Sequence, residues 1–121
     1  MARLRFPQSA RLSRASEFAR LRREGLSFHG KLMVLSFLKA EPDLETRIGL
    51  ITSRRVGGAV VRNRVRRRLR EIVRALRPRL QRGIWLVLIA RQSAAKATFQ
   101  ALRDDCLQLA QRSAILPSEC S

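Results

Sequence analysis

Apolar and polar positions follow two rhythms along the chain, a helical one and a strand one. Between 59 and 77, Val61, Val65, Leu69, Ile72 and Leu76 recur at steps of four, four, three and four. That is the period of a helix with one buried side. Pro78 ends the pattern, since proline cannot continue a helix. Residues 84–90 are apolar almost without a break, which predicts a strand covered on both faces. Strand character also runs over 28–40, with a short first strand near 27–30, and again over 47–53.

The two middle strands have unequal faces. Leu35, Phe37, Ile48 and Leu50 are large and apolar, while the alternate positions Ser36, Gly49 and Ser53 are small or polar. Side chains alternate across a strand, so one face packs on helices and the other is partly open. Val34 and Ser36 share the open face. A first helix runs over 13–24, capped by Ser13 and stopped by Gly25, with Leu12, Phe18 and Leu21 as its apolar side. A last helix spans 98–112, with Phe99, Leu102, Cys106, Leu109 and Ala110 turned inward. Residues 79–83 read as a basic loop. The order is α-β-β-β-α-β-α, an α+β sandwich built on one sheet. Residues 1–121 read as one domain, with 1–10 and 114–121 extended or frayed.

Composition changes the picture through charge. The chain of 121 residues carries 26 Lys and Arg against 9 Asp and Glu, a formal net charge of +17. Self-repulsion on that scale opposes compaction and asks for an acidic partner. Yet 45% of the residues are hydrophobic, so this is a folded domain rather than a disordered basic tail. Ten arginines fall within residues 62–82, where Glu71 is the sole acid. The acids gather elsewhere, at Glu41, Asp43 and Glu45 and at Asp104 and Asp105.

Several chemistries lack their residues. No apolar run approaches the ~20 residues of a membrane span. The basic stretch MARLRFPQSARLSR never reaches an apolar run of the length a secretory signal needs. Cys106 and Cys120 form no CxxC pattern, so a reducing cytoplasm is the expected setting. One histidine, His29, and two scattered cysteines are too few for a zinc site. General acid–base ribonuclease chemistry lacks a paired histidine. Two-metal chemistry lacks clustered carboxylates. Asp104 and Asp105 are adjacent on a helix, point about 100° apart, and read as solvated surface.

The helix at 59–77 is the informative element. Its apolar positions share one quadrant, and Arg64, Arg67, Arg70 and Arg74 lie well away from it. The result is a core helix with a cationic outer face, which fits a nucleic-acid backbone. Arg62 falls inside the apolar arc. In the first turn it emerges where the core ends and projects toward the open sheet face. Asn63 is a poor helix former with both donors and acceptors, and is either a binding residue or tied to backbone.

The run Val56, Gly57, Gly58, Ala59, Val60, Val61, Arg62, Asn63, Arg64, Val65, Arg66, Arg67, Arg68, Leu69, Arg70 closely resembles the signature of the bacterial ribonuclease P protein family. The surroundings agree: Arg-Leu-Ser with Phe18 before Gly25, then Arg-Ile-Gly-Leu from Arg47 and Ser-Arg-Arg to Arg55, then a strand closing on Ile-Ala-Arg at Arg91. The resemblance spans about residues 10–112.

The resemblance implies one four-stranded, mostly antiparallel sheet with a left-handed βαβ crossover, as in the second domain of ribosomal protein S5. It implies the protein subunit of a tRNA 5′-maturation endonuclease whose catalytic centre lies in an RNA. The partners would be that catalytic RNA and precursor tRNA, with no membrane and no obligate protein partner. Mg²⁺ would be bound mainly by the RNA, and the setting would be cytoplasmic. Catalytic-RNA binding carries over to Arg62, Asn63, Arg64, Arg66, Arg67, Arg68 and Arg70. Binding of the single-stranded leader carries over to Phe18, Lys31, Val34, Ser36, Ile51, Ser53 and Arg55. Phe18 is either a stacking platform or ordinary core. Some relatives carry a second aromatic where Arg22 stands and a tyrosine where Ser36 stands, and this chain has no tyrosine. Leader binding then leans on charge rather than stacking. Gly58 stands where the family often has asparagine, so no side chain caps the helix there.

Four other readings compete. A structural RNA-binding protein of ribosomal type shares the charge and the fold, and only the Arg-Asn-Arg context separates it. A self-sufficient nuclease lacks catalytic residues. A DNA-binding basic helix lacks a dimerising zipper. Membrane-surface binding lacks an exposed aromatic anchor on a basic helix.

Overall fold

The computed structural model describes residues 15–40, 46–80 and 82–113. In chain order these form α1 (Ala15–Glu24), β1 (Leu26–His29), β2 (Met33–Lys39), β3 (Arg47–Ile51), α2 (Ala59–Leu76), β4 (Ile84–Ala90) and α3 (Phe99–Arg112). Short 3₁₀ segments occupy Arg77–Arg79 and Gln92–Lys96. The element order is the one the hydrophobic pattern predicts. Strand 47–53 ends earlier, at Ile51, and the basic loop after Pro78 begins as a 3₁₀ turn. The Ser13 cap, the acids at 41, 43 and 45, and both termini lie outside the described residues.

The strands form one sheet in the order β1-β2-β4-β3. The pairs β1·β2 and β2·β4 are antiparallel, and β3·β4 is parallel. Helix α2 is therefore the crossover between two neighbouring parallel strands. Strand β4 has a partner on each side, which its unbroken apolar run anticipates.

Alternation along β4 divides the core in two. Ile84, Leu86, Leu88 and Ala90 join Met33, Leu35, Phe37 and Ile48 beneath α2 and α3. From the helices come Val65, Leu69, Ile72, Val73, Leu76, Leu102, Cys106 and Leu109. Each Val, Leu, Ile, Met or Phe among them contributes about 1.5–3 kcal/mol by leaving water. Val73 is fully buried although the heptad-like spacing omits it, because the α2 stripe is wider than one residue per turn. Val61, by contrast, is only half-buried. Phe99 is also a correction. It is 40% exposed, because it opens α3 just after the cap Thr98, ahead of the point where that helix meets the sheet.

On the other face, Trp85 and Val87 pack with Leu21 of α1, and Phe18, Leu38, Ala40 and Ile89 lie against them. Glu17 of α1 pairs with Arg47 of β3, and the Arg20 guanidinium lies 5.2 Å from the Trp85 ring. Helix α1 ends at Gly25, where a Cβ would come within 2.5 Å of the Leu21 carbonyl and 2.8 Å of the Phe37 carbonyl. Only glycine lets the chain turn from α1 into β1 so close to β2.

Candidate nucleic-acid interface

The strand registers build the open face row by row. His29, Val34, Ile89 and Ile51 are lateral neighbours in one row, and Ser27, Ser36, Val87 and Gly49 form the next. The Ser27 and Ser36 hydroxyls are 2.7 Å apart. Three of the predicted leader residues, Val34, Ser36 and Ile51, thus share two adjacent rows. Phe18 is half-buried against the Trp85 cluster, so it is core on one side and accessible on the other.

Beyond Ile89 the face opens into a pocket of about 540 Å³. Lys31, Ser53, Arg55, Ile89, Ala90, Arg91, Gln92 and Ser93 line it. Lys31, Ser53 and Arg55 are predicted leader residues, and Ile89 joins them to the row holding Val34 and Ile51. Among the described residues, three cations and no carboxylate line this pocket. Arg91, Gln92 and Ser93 were not anticipated. The signal for Arg91 was available, since it continues the Trp85, Val87, Ile89 alternation onto the open face.

The second surface is α2. Gly58 caps it without a side-chain hydrogen bond, and its first turn carries no acid. The positive end of the helix therefore meets arginines rather than the carboxylates that would complement it. The way these arginines are held is the main electrostatic fact. Arg64 Nη2 donates to the Ala95 carbonyl at 3.1 Å, and Arg68 Nη1 to the Ala97 carbonyl at 2.8 Å. Arg66 donates to Asn63 Oδ1 and to Thr52 Oγ1, each at 2.9 Å. Arg67 is exposed, Arg70 is half-buried, and neither has a partner among the described residues. Arg62 is half-buried with its Nε enclosed and unpartnered.

Among the described residues, no carboxylate pairs with Arg62, Arg64, Arg66, Arg67, Arg68 or Arg70. Neutral oxygens fix three of them in place without cancelling their charge. Farther along, Arg74 is different, because Glu71 takes it. Asn63 proves to be an acceptor for Arg66, so its side chain orders the helix surface.

Asp105 overturns the reading of both adjacent acids as solvated surface. It is 8% exposed and accepts from the backbone N–H groups of Lys31 at 3.3 Å and Leu32 at 3.0 Å. The β1–β2 turn docks on α3, a contact between residues more than 70 positions apart that helix periodicity alone cannot reveal. Asp104 stays exposed and accepts from Gln100. Cys106, also on α3, is buried, and burial pushes its thiol up to about 12, with the nearby Asp105 adding to the rise. Among the described residues no three His, Cys, Asp or Glu side chains converge to hold a metal ion, and no helix is long and apolar enough to cross a membrane.

An α+β domain whose helix α2 carries six arginines that no described carboxylate neutralises, beside a cationic open sheet face, belongs with RNA-associated proteins. A family model for ribonuclease P matches residues 6–114, and the chain belongs to that family. It is 39% identical over 109 residues to the ribonuclease P protein component of Symbiobacterium thermophilum, covering 90% of this chain and 95% of that one. With the protein component of Chloroflexus aurantiacus identity is 42% over 109 residues, covering 89% and 80%. The solved ribonuclease P protein of Thermotoga maritima superposes with a TM-score of 0.74 at 29% identity, covering 84% of this chain and 96% of that one. That of Staphylococcus aureus gives 0.81 at 21% identity, covering 91% and 100%, a likeness of fold.

Proposed function

We propose that this chain binds the catalytic RNA of a bacterial ribonuclease P through α2 and the 5′ leader of precursor tRNA on its open sheet face. Membership of the family supports its role as the protein subunit of that tRNA-processing endonuclease. The observation that carries the assignment of surfaces is the set of six α2 arginines unneutralised by any described carboxylate. Arginine forks suit phosphate oxygens, and holding them on neutral acceptors lowers the entropy lost on binding. The leader reading rests on the cationic pocket that continues the open face past Ile89.

In this reading the protein lowers phosphate repulsion between two RNAs and fixes the leader. It thereby lets RNA-bound Mg²⁺ act at lower concentration. The described residues offer no cluster to hold that ion themselves. The reaction takes place in the cytoplasm, with no membrane and no obligate protein partner.

The test is multiple-turnover cleavage of a precursor tRNA at low Mg²⁺ by the organism's catalytic RNA, with and without the protein. An Arg67→Ala/Arg70→Ala variant runs beside it, because neither side chain supports the fold through a described contact. Stimulation that the variant loses is the expected result. Salt-sensitive binding to any structured RNA, without stimulation, would favour the structural RNA-binding reading instead.

A further inference from the structure

The turn between β1 and β2 is held by more contacts than a surface hairpin needs. Both carboxylate oxygens of Asp105 accept from it, through the N–H groups of Lys31 and Leu32. Gly30 sits directly on that carboxylate, where a Cβ would come within 2.6 Å of Oδ2. On its other side the turn is gripped by the residues that follow β4. Arg91 Nη1 donates to the Gly30 carbonyl at 2.9 Å, and Ser93 Oγ donates to the Lys31 carbonyl at 2.6 Å. The Arg91 backbone N–H donates to the Leu32 carbonyl at 2.9 Å.

These contacts decide where two pocket cations point. Lys31 is carried by the turn, and Arg91 is anchored to it by one nitrogen, leaving its remaining donors for a ligand. Lys31 and Arg91 line the same pocket, with Ser53 and Ser93 beside them. The chain has few acids, and it places this one behind the turn, where it orders two cations without entering the pocket.

We propose that Asp105 is a positioning residue for substrate. By seating the β1–β2 turn it sets Lys31 and Arg91 to take one phosphodiester group of the single-stranded leader, and Arg91 is itself a leader contact. This rests on the reading of the open face as the leader surface. The proposal adds which phosphate-binding groups act and what orders them.

The experiment measures dissociation constants of the protein–catalytic RNA complex for precursor tRNA and for mature tRNA. The ratio of the two is the leader preference. Lys31→Ala and Arg91→Ala each lower that preference about tenfold, the loss of one charge-assisted contact, and leave mature tRNA unchanged. Asp105→Asn, which offers one acceptor where two N–H groups point, does the same. Added to Lys31→Ala/Arg91→Ala it causes no further loss, because Asp105 acts only through those two side chains. A merely structural role would not show that saturation.

If wild type shows no leader preference, the leader surface itself is misassigned. If wild type shows it, Lys31→Ala and Arg91→Ala lose it and Asp105→Asn keeps it, the positioning role is wrong and the surface stands. If Asp105→Asn loses assembly with the catalytic RNA, Gly30→Ala is read in its place. It keeps the carboxylate but pushes the turn off it, and an unchanged leader preference there overturns the proposal.

Discussion

Arg66 of α2 reaches the hydroxyl of Thr52, 2.9 Å away, at the start of the loop that leaves β3. That loop carries Ser53 and Arg55 to the pocket, and α2 carries the carboxylate-free arginines. One guanidinium thus ties the two candidate RNA surfaces together.

Replacing Thr52 by Val removes the acceptor and no charge. The expected cost is about 0.5–1.5 kcal/mol in unfolding free energy, read as a lower denaturant midpoint at unchanged slope. Hydrogen exchange of the Val56 and Gly57 amides, which bond back to Ser53 and Arg54, quickens in the same variant.

Salt dependence checks the α2 surface. Catalytic-RNA affinity falls by about 10³–10⁵ between 50 and 200 mM salt if six to ten phosphates are contacted. Arg67→Ala lowers the log–log slope by roughly one, and Arg74→Ala changes it less, because Glu71 already offsets Arg74.

Ser36→Tyr places an aromatic ring on the open face, as the family resemblance implies for some relatives. It sacrifices the 2.7 Å contact with Ser27 at a partly exposed site. Stacking on one leader base is worth about 1–3 kcal/mol, so affinity for precursor tRNA rises while that for mature tRNA stays level. Equilibrium binding to both substrates decides it.

Core and surface substitutions separate sharply. Leu69 is wholly enclosed, and Leu69→Ala costs about 2–5 kcal/mol in urea unfolding. Phe99→Ser, at a position 40% exposed, changes stability far less.

The Cys106 thiol, pushed up to about 12, stays protonated at pH 8, with a thiolate fraction of about 10⁻⁴. In a Cys120→Ser background, alkylation at that pH therefore proceeds only through unfolding, and its rate follows denaturant concentration.

Much of this was legible in the sequence because it is local. The 3.6-residue spacing from Val61 to Leu76 placed α2, and the apolar run at 84–90 placed an interior strand. Alternation around Ser36 and Gly49 found the open face. What escaped is long-range. Asp105 looked solvated because a helical wheel does not know that a turn some 70 residues earlier docks on it. Arg64 and Arg67 both lay on the outer side of that wheel, yet the carbonyl of Ala95 holds only Arg64. Val73 was missed because the stripe it belongs to broadens where α2 meets both the sheet and α3. Predicted leader residues far apart in sequence met on one face because period-two alternation survives any connection between strands.

Trp85 is the one tryptophan in the chain, and it sits under α1 with the Arg20 guanidinium against its ring and its indole N–H unpartnered. That makes it an intrinsic optical probe, with no label to attach. Its emission colour and intensity register the polarity beneath the first helix. A strand of RNA that shifts that helix announces itself in the fluorescence.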